Sequence, residues 1–148
     1  MTGEDMEKST HRTGILTIRG IRREGDQEEV NELKTTARYI SRDGKRYLFY
    51  KEYMEGGTHQ QVRLTMSDHE VILKKKGWGE SVLHFRKGAL KHCRYQTVAG
   101  PMDLESRTRK IHGKETQDSL YLRIEYSLYM HGQLLSEYEL DLAWKENE

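Results

Sequence analysis

From residue 14 onward the chain alternates apolar and polar residues in short runs separated by turn-forming pairs. Successive side chains of a strand point to opposite faces, so each run predicts a strand with one buried side. The last two runs are the clearest. Leu120, Leu122, Ile124, Tyr126, Leu128 and Met130 share one face, with Arg123, Glu125 and Ser127 on the other. After His131-Gly132-Gln133, the residues Leu134, Ser136, Tyr138, Leu140, Leu142 and Trp144 oppose Glu137, Glu139 and Asp141. A three-residue loop pairs Tyr126 with Tyr138 and Leu122 with Leu142. A two-residue loop sets Tyr126 against Glu137, so the pattern selects the longer one.

Earlier runs follow the same rule. A first strand is predicted from Gly14 to Arg23, and the acidic residues 23–32 read as a loop or a short helical turn. Asp43-Gly44 is a preferred two-residue hairpin turn, because both central positions need positive φ. It pairs Arg42 with Lys45, Tyr39 with Leu48, Ala37 with Tyr50 and Thr35 with Glu52, and puts Glu52 on the inner face. Val62, Leu64, Met66, Val71 and Leu73 extend that face, followed by Ser81, Leu83 and Phe85. Ala89–Gln96 has no settled facing. Pro101, the only proline, belongs at a strand start or an edge, since it cannot donate to a ladder. Beyond it Met102, Leu104, Ser106 and Thr108 face inward.

The prediction is all-β, with nine or ten strands in an antiparallel meander and almost no helix. Such a sheet closes into a barrel or folds into a sandwich, and closure removes the exposed edges. The expectation is a single barrel domain over residues 14–148 after a disordered tail over residues 1–13. At 148 residues the chain is long enough to bury about two-thirds of its unfolded surface without disulfides. The start of the chain has no apolar core of a secretory signal, and no run matches a membrane-spanning helix. The lone Cys93 suits a reducing, cytoplasmic setting.

Charge changes the picture more than composition does. Lys74 to Lys114 holds eleven Lys/Arg against three Asp/Glu, and Glu115 to the end holds two against eight. This asymmetry reads either as a nucleic-acid footprint or as charge pairing between neighbouring strands.

Tyr95-x-Thr97 followed by Gly100, Met102-x-Leu104 and Thr108, with Tyr50-x-Glu52 before a glycine turn, resembles motifs of the YwiB-like family of uncharacterised bacterial proteins. The resemblance runs from about Ile15 to Trp144. It implies a calycin-like, lipocalin-type β-barrel and supplies no reaction. Ala99 departs from the pattern, standing where the family usually has an aromatic residue, which implies a differently shaped pocket.

Three functions follow. The first is a non-catalytic barrel binding a small ligand or a partner. Glu52 would be its polar anchor among Tyr50, Tyr95, Thr97, Thr108, Tyr126 and Tyr138. The hydroxyls of Tyr95, Thr97 and Thr108 would equally satisfy backbone groups at the kink before Pro101. The second is an RNA-associated module in which Lys74, Lys75, Lys76, Arg86, Lys87, Lys91 and Arg94 hold phosphates and Trp78 stacks a base. The third is an acid/base enzyme with Glu52 as the titrating group. His84 and His92 would face each other across Lys87-Gly88 if that loop has three residues. Cys93 points the other way, so no metal site is expected. No nucleophile, zinc or phosphate-loop motif is present. No cofactor is expected.

Overall fold

The computed structural model describes residues 10–77 and 79–147. Ten strands form one closed antiparallel barrel, each paired with its sequence neighbours, and the first joins the last. They are β1 (Thr10–Glu24), β2 (Gln27–Arg42), β3 (Lys45–Tyr53), β4 (His59–Met66) and β5 (Glu70–Lys76). The second half comprises β6 (Glu80–Arg86), β7 (Leu90–Thr97), β8 (Gly100–Glu115), β9 (Ser119–Met130) and β10 (Gln133–Glu146). A single 3-10 turn, Glu55–Gly57, joins β3 to β4.

Two boundaries differ from the sequence reading. β1 begins at Thr10 because Thr10–Thr13 pair with Arg38–Ser41 of β2, so only residues 1–9 of the expected tail lie outside the described residues. The acidic residues 23–32 are not a loop. They turn at Gly25-Asp26 and enter β2, with Glu24 opposite Gln27. This part of β2 is exposed on both faces and carries no apolar alternation, so periodicity gives no strand signal.

The Asp43-Gly44 turn forms as expected, with φ of 51° and 78°, and pairs Tyr39 with Leu48 and Ala37 with Tyr50. The pairing stops there. β2 continues beside β1 alone, and Thr35 does not meet Glu52. At the last hairpin Tyr138 does face Tyr126 and Leu142 faces Leu122, but by a different device. His131-Gly132 is a two-residue turn, with Met130 opposite Gln133, and a bulge between Leu134 and Ser136 restores the phase.

The interior is filled from the inward rows. Trp144, Tyr39, Phe85, Leu16, Leu48, Leu64 and Ile124 are all buried. Trp144 donates its indole N–H to the Ala37 carbonyl at 3.1 Å and packs on Tyr39 with ring centroids 5.0 Å apart. Gly14 makes this possible. A Cβ there would lie 2.7 Å from the Trp144 ring and 2.2 Å from the Lys145 carbonyl oxygen. The β6–β7 seam has one ladder pair, Val82 with Arg94. It is reinforced by the Ser106 hydroxyl donating to the His84 carbonyl and the His84 N–H donating to Cys93 Sγ.

Candidate functional site

Glu52 lies half-buried at the end of β3, opposite Gln60. Val71, Leu73 and Lys75 alternate onto the inner face of β5, which turns Lys75 into the barrel. Its Nζ lies 3.0 Å from the Glu52 carboxylate, and Gln60 Nε2 donates to the same oxygen at 3.4 Å. One of the three consecutive lysines is therefore an internal counter-ion, facing away from solvent. Tyr50 is buried beside this pair. Burial, then the nearby Glu52 charge, pushes its hydroxyl above the ordinary range.

Tyr126 sits between Phe85 and Tyr138, with ring centroids 4.4 and 4.8 Å away, and burial raises its pKa. Thr108, opposite Tyr126, is buried with no partner for its hydroxyl among the described residues. Tyr95 is partly exposed on β7. Thr97 takes the structural role. Its hydroxyl donates to the Gly100 carbonyl at 2.7 Å and accepts from the Ala99 N–H at 3.1 Å, closing the β7–β8 turn. Ala99 is exposed in that turn. Tyr50 and Tyr126 thus belong to a packed interior, Tyr95 does not, and Glu52 forms a separate ion pair near one end.

At the opposite end Glu115, the last residue of β8, meets β2 and β3 through its side chain. The Glu115 carboxylate accepts from Tyr39 and from Arg46 Nη1, the latter at 3.2 Å. Burial first, then this bond, holds the Tyr39 pKa above its usual value. A cavity of about 260 Å³ lies beside Glu115, lined by Arg46, Met66, Ile111, Lys114 and Leu122 among others. Glu115 is far from both partners in sequence, so no local pattern points to this arrangement.

His84 and His92 do not form a pair. His84 bonds Glu70, and His92 contacts Asp103 at 3.1 Å. Among the described residues no cluster of three His, Cys, Asp or Glu could hold a metal.

The outer surface divides into two halves. On β9, β10 and β1, Arg123 bonds Glu125, Glu139 and Asp141 at 3.0, 2.8 and 2.7 Å, and Arg23 bonds Glu139 at 2.6 Å. The Arg23 hydrogen bond is the main cause holding the Glu139 carboxyl below its usual range. The acidic end of the chain is thus balanced by Arg123 and by arginines of other strands, Arg12, Arg23, Arg46 and Arg109. The basic middle is not. Of its eleven cations, only Lys75, Arg86 and Arg109 meet a carboxylate at ion-pair distance among the described residues.

Two of the remaining cations, Lys74 and Arg94, share a cross-strand row with Arg38 and Arg63, which precede the basic segment. Arg38, Phe49, Arg63, Lys74, Val82 and Arg94 stand opposite one another in turn across β2 to β7. All face outward, since their strand neighbours Ala37, Leu48, Leu64, Leu73, Leu83 and Cys93 are buried. A parallel row of Ile40, Tyr47, Thr65, Ile72 and His84 runs beside it. Tyr47 and Phe49 are stacked, with centroids 6.3 Å apart and planes 18° from parallel, and the Arg38 guanidinium lies 5.1 Å from the Phe49 centroid. Lys76, exposed, lies in a further outward row with Gln61. Lys87 is exposed and Lys91 half-buried nearer the β6–β7 turn. Trp78 lies outside the described residues. Sequence reasoning missed Arg38, Tyr47, Phe49 and Arg63 as parts of this surface. They precede the basic segment and join it only through strand register.

Comparison with known proteins settles the family. Residues 16–142 match the model described as a domain of unknown function, DUF1934. The chain belongs to this family. The chain is also similar to the uncharacterized beta-barrel protein YwiB of Bacillus subtilis (strain 168). It is 24% identical over 115 residues, which cover 78% of this chain and 80% of the relative. The crystal structure of the ywiB protein from Bacillus subtilis superposes with a TM-score of 0.85 at 19% identity, covering 97% of this chain and 99% of that one. That likeness establishes a shared barrel fold. No helix among the described residues is long and apolar enough to cross a membrane.

Proposed function

We propose that this DUF1934 protein is a non-catalytic binding barrel whose outer face over β2–β7 takes a polyanion. The observation that carries the reading is the unneutralised cation row Arg38, Arg63, Lys74 and Arg94. Arg63 and Lys74 are directly opposite on neighbouring strands, an arrangement that costs stability unless an anion lies across it. None of these four cations has a carboxylate at ion-pair distance among the described residues, although the row runs on to Asp103 of β8, which stands opposite Arg94 and pairs with His92. Glu52 fits this reading as a structural carboxylate, already matched by Lys75.

Heparin-affinity chromatography and titration with labelled heparin test the proposal. Affinity should fall steeply between 50 and 200 mM salt, as it does for proteins that release counterions from a polyanion. Arg63→Gln together with Lys74→Gln should reduce both the affinity and its salt dependence. Binding that ignores salt, or survives the double replacement unchanged, would contradict it.

A second reading is favoured by the cavity beside Glu115. A small molecule would fit there, with an acceptor directed at the buried Arg46 Nε, which has no partner among the described residues. Gly113 lines this cavity, and a Cβ added to it meets nothing closer than 3.9 Å. Native mass spectrometry should then show a co-purified small molecule on the wild type that is absent from Gly113→Leu.

A further inference from the structure

The polyanion reading names a charge and leaves open what carries it. The two outward rows differ in chemistry. One is cationic, with Arg38, Arg63, Lys74 and Arg94. The other is apolar and aromatic, with Ile40, Tyr47 and Ile72. Phe49 lies in the first row and stacks towards Tyr47 of the second, joining the two. A purely electrostatic surface has no use for two stacked aromatic rings beside the charges. A single-stranded nucleic acid does, because its backbone needs cations and its unpaired bases need flat surfaces.

Resting on the polyanion reading, we infer that the ligand is single-stranded nucleic acid lying across the strands. Its phosphates follow the Arg38–Arg63–Lys74–Arg94 row and its bases stack over Tyr47 and Phe49. The dimensions agree. Six strands at about 4.8 Å spacing span roughly 24 Å, room for the few nucleotides that one barrel of this kind typically covers, about 4 or more. Arg38, poised over Phe49, completes the platform, since a guanidinium plane also stacks on bases. A duplex offers no unstacked base to the two rings and would be held by its phosphates alone.

Fluorescence anisotropy with labelled oligothymidylate of about 15 nucleotides, a duplex of equal length and heparin as competitor separates the possibilities. The single strand should bind more tightly than the duplex. Tyr47→Leu and Phe49→Leu keep apolar bulk but remove the ring plane. Each should weaken oligothymidylate binding about ten-fold, leave heparin binding intact and leave the salt slope unchanged. Thermal melting verifies that both variants fold. If the leucine variants bind oligothymidylate like the wild type, or the duplex binds as tightly as the single strand, the inference fails while heparin binding keeps the polyanion reading. If the wild type binds neither heparin nor oligonucleotide, both fail together.

Discussion

Arg63 of β4 and Lys74 of β5 stand directly opposite each other on the outer face, two like charges with no described carboxylate at ion-pair distance. Cross-strand pairs of opposite charge contribute about 0.2–1 kcal/mol and like charges cost similar amounts. Lys74→Glu should therefore raise stability by up to about 1 kcal/mol and abolish heparin binding. Urea denaturation beside heparin chromatography checks both arms. A destabilised variant would mean that the pair is relieved within the fold.

Gly14 is where the backbone of β1 passes closest to the Trp144 ring. Gly14→Ala forces a methyl into the space between the ring and the Lys145 carbonyl. Overpacking of this kind costs about 1–3 kcal/mol, read as a lower urea midpoint with unchanged slope. Gly20→Ala on the same strand, whose Cβ would meet only Leu140 at 3.6 Å, should cost far less.

High pH should unfold the barrel through its tyrosines. Burial raises the pKa of Tyr39, Tyr50 and Tyr126 above the ordinary value near 10. Their contribution is complete below the unfolded value and is lost as pH rises through the folded ones. Denaturant midpoints should hold at pH 8 and fall progressively above about pH 10. Tyr126→Phe, which removes the ionisable hydroxyl and keeps the ring stack, should flatten that fall.

The opposite limb concerns the arginine network on β9, β10 and β1. Glu139 has a lowered pKa, caused first by its hydrogen bond from Arg23. Its contribution is present above the unfolded pKa near 4.5 and is lost as pH falls through the lower folded value. Stability should therefore decline below about pH 4.5, and Arg23→Met should make that decline shallower. An unchanged acid limb in Arg23→Met would remove Arg23 as its source.

The ten-strand barrel was largely legible because burial on one face imposes period-two alternation. Where β2 has both faces in water, as at Glu28 and Glu29, that cause is missing and the strand was invisible. The Tyr126–Tyr138 register was correct for a reason that was not. Matching faces demanded one extra residue, and the chain places it in a bulge after the turn. The candidate surface was legible only in part. Lys74, Lys76 and Arg94 announced themselves as a basic segment, yet Lys75 turns inward to Glu52, a distinction that alternation from Leu73 already implied. Arg38, Phe49 and Arg63 required the full strand order, which local pattern does not contain.

The pairing of Gly14 on β1 with Glu146 on β10 also sets an order of events in folding. Every other junction in the ring is a hairpin between sequence neighbours and can form locally and fast. The β1–β10 junction must draw together segments from opposite ends of the sequence, at the full loop-closure cost. Until it shuts, two long strands present unpaired edges to other molecules. The slowest and most aggregation-exposed step of this protein is therefore the last clasp of its ring, and lesions in β10 should appear as insolubility before they appear as lost binding.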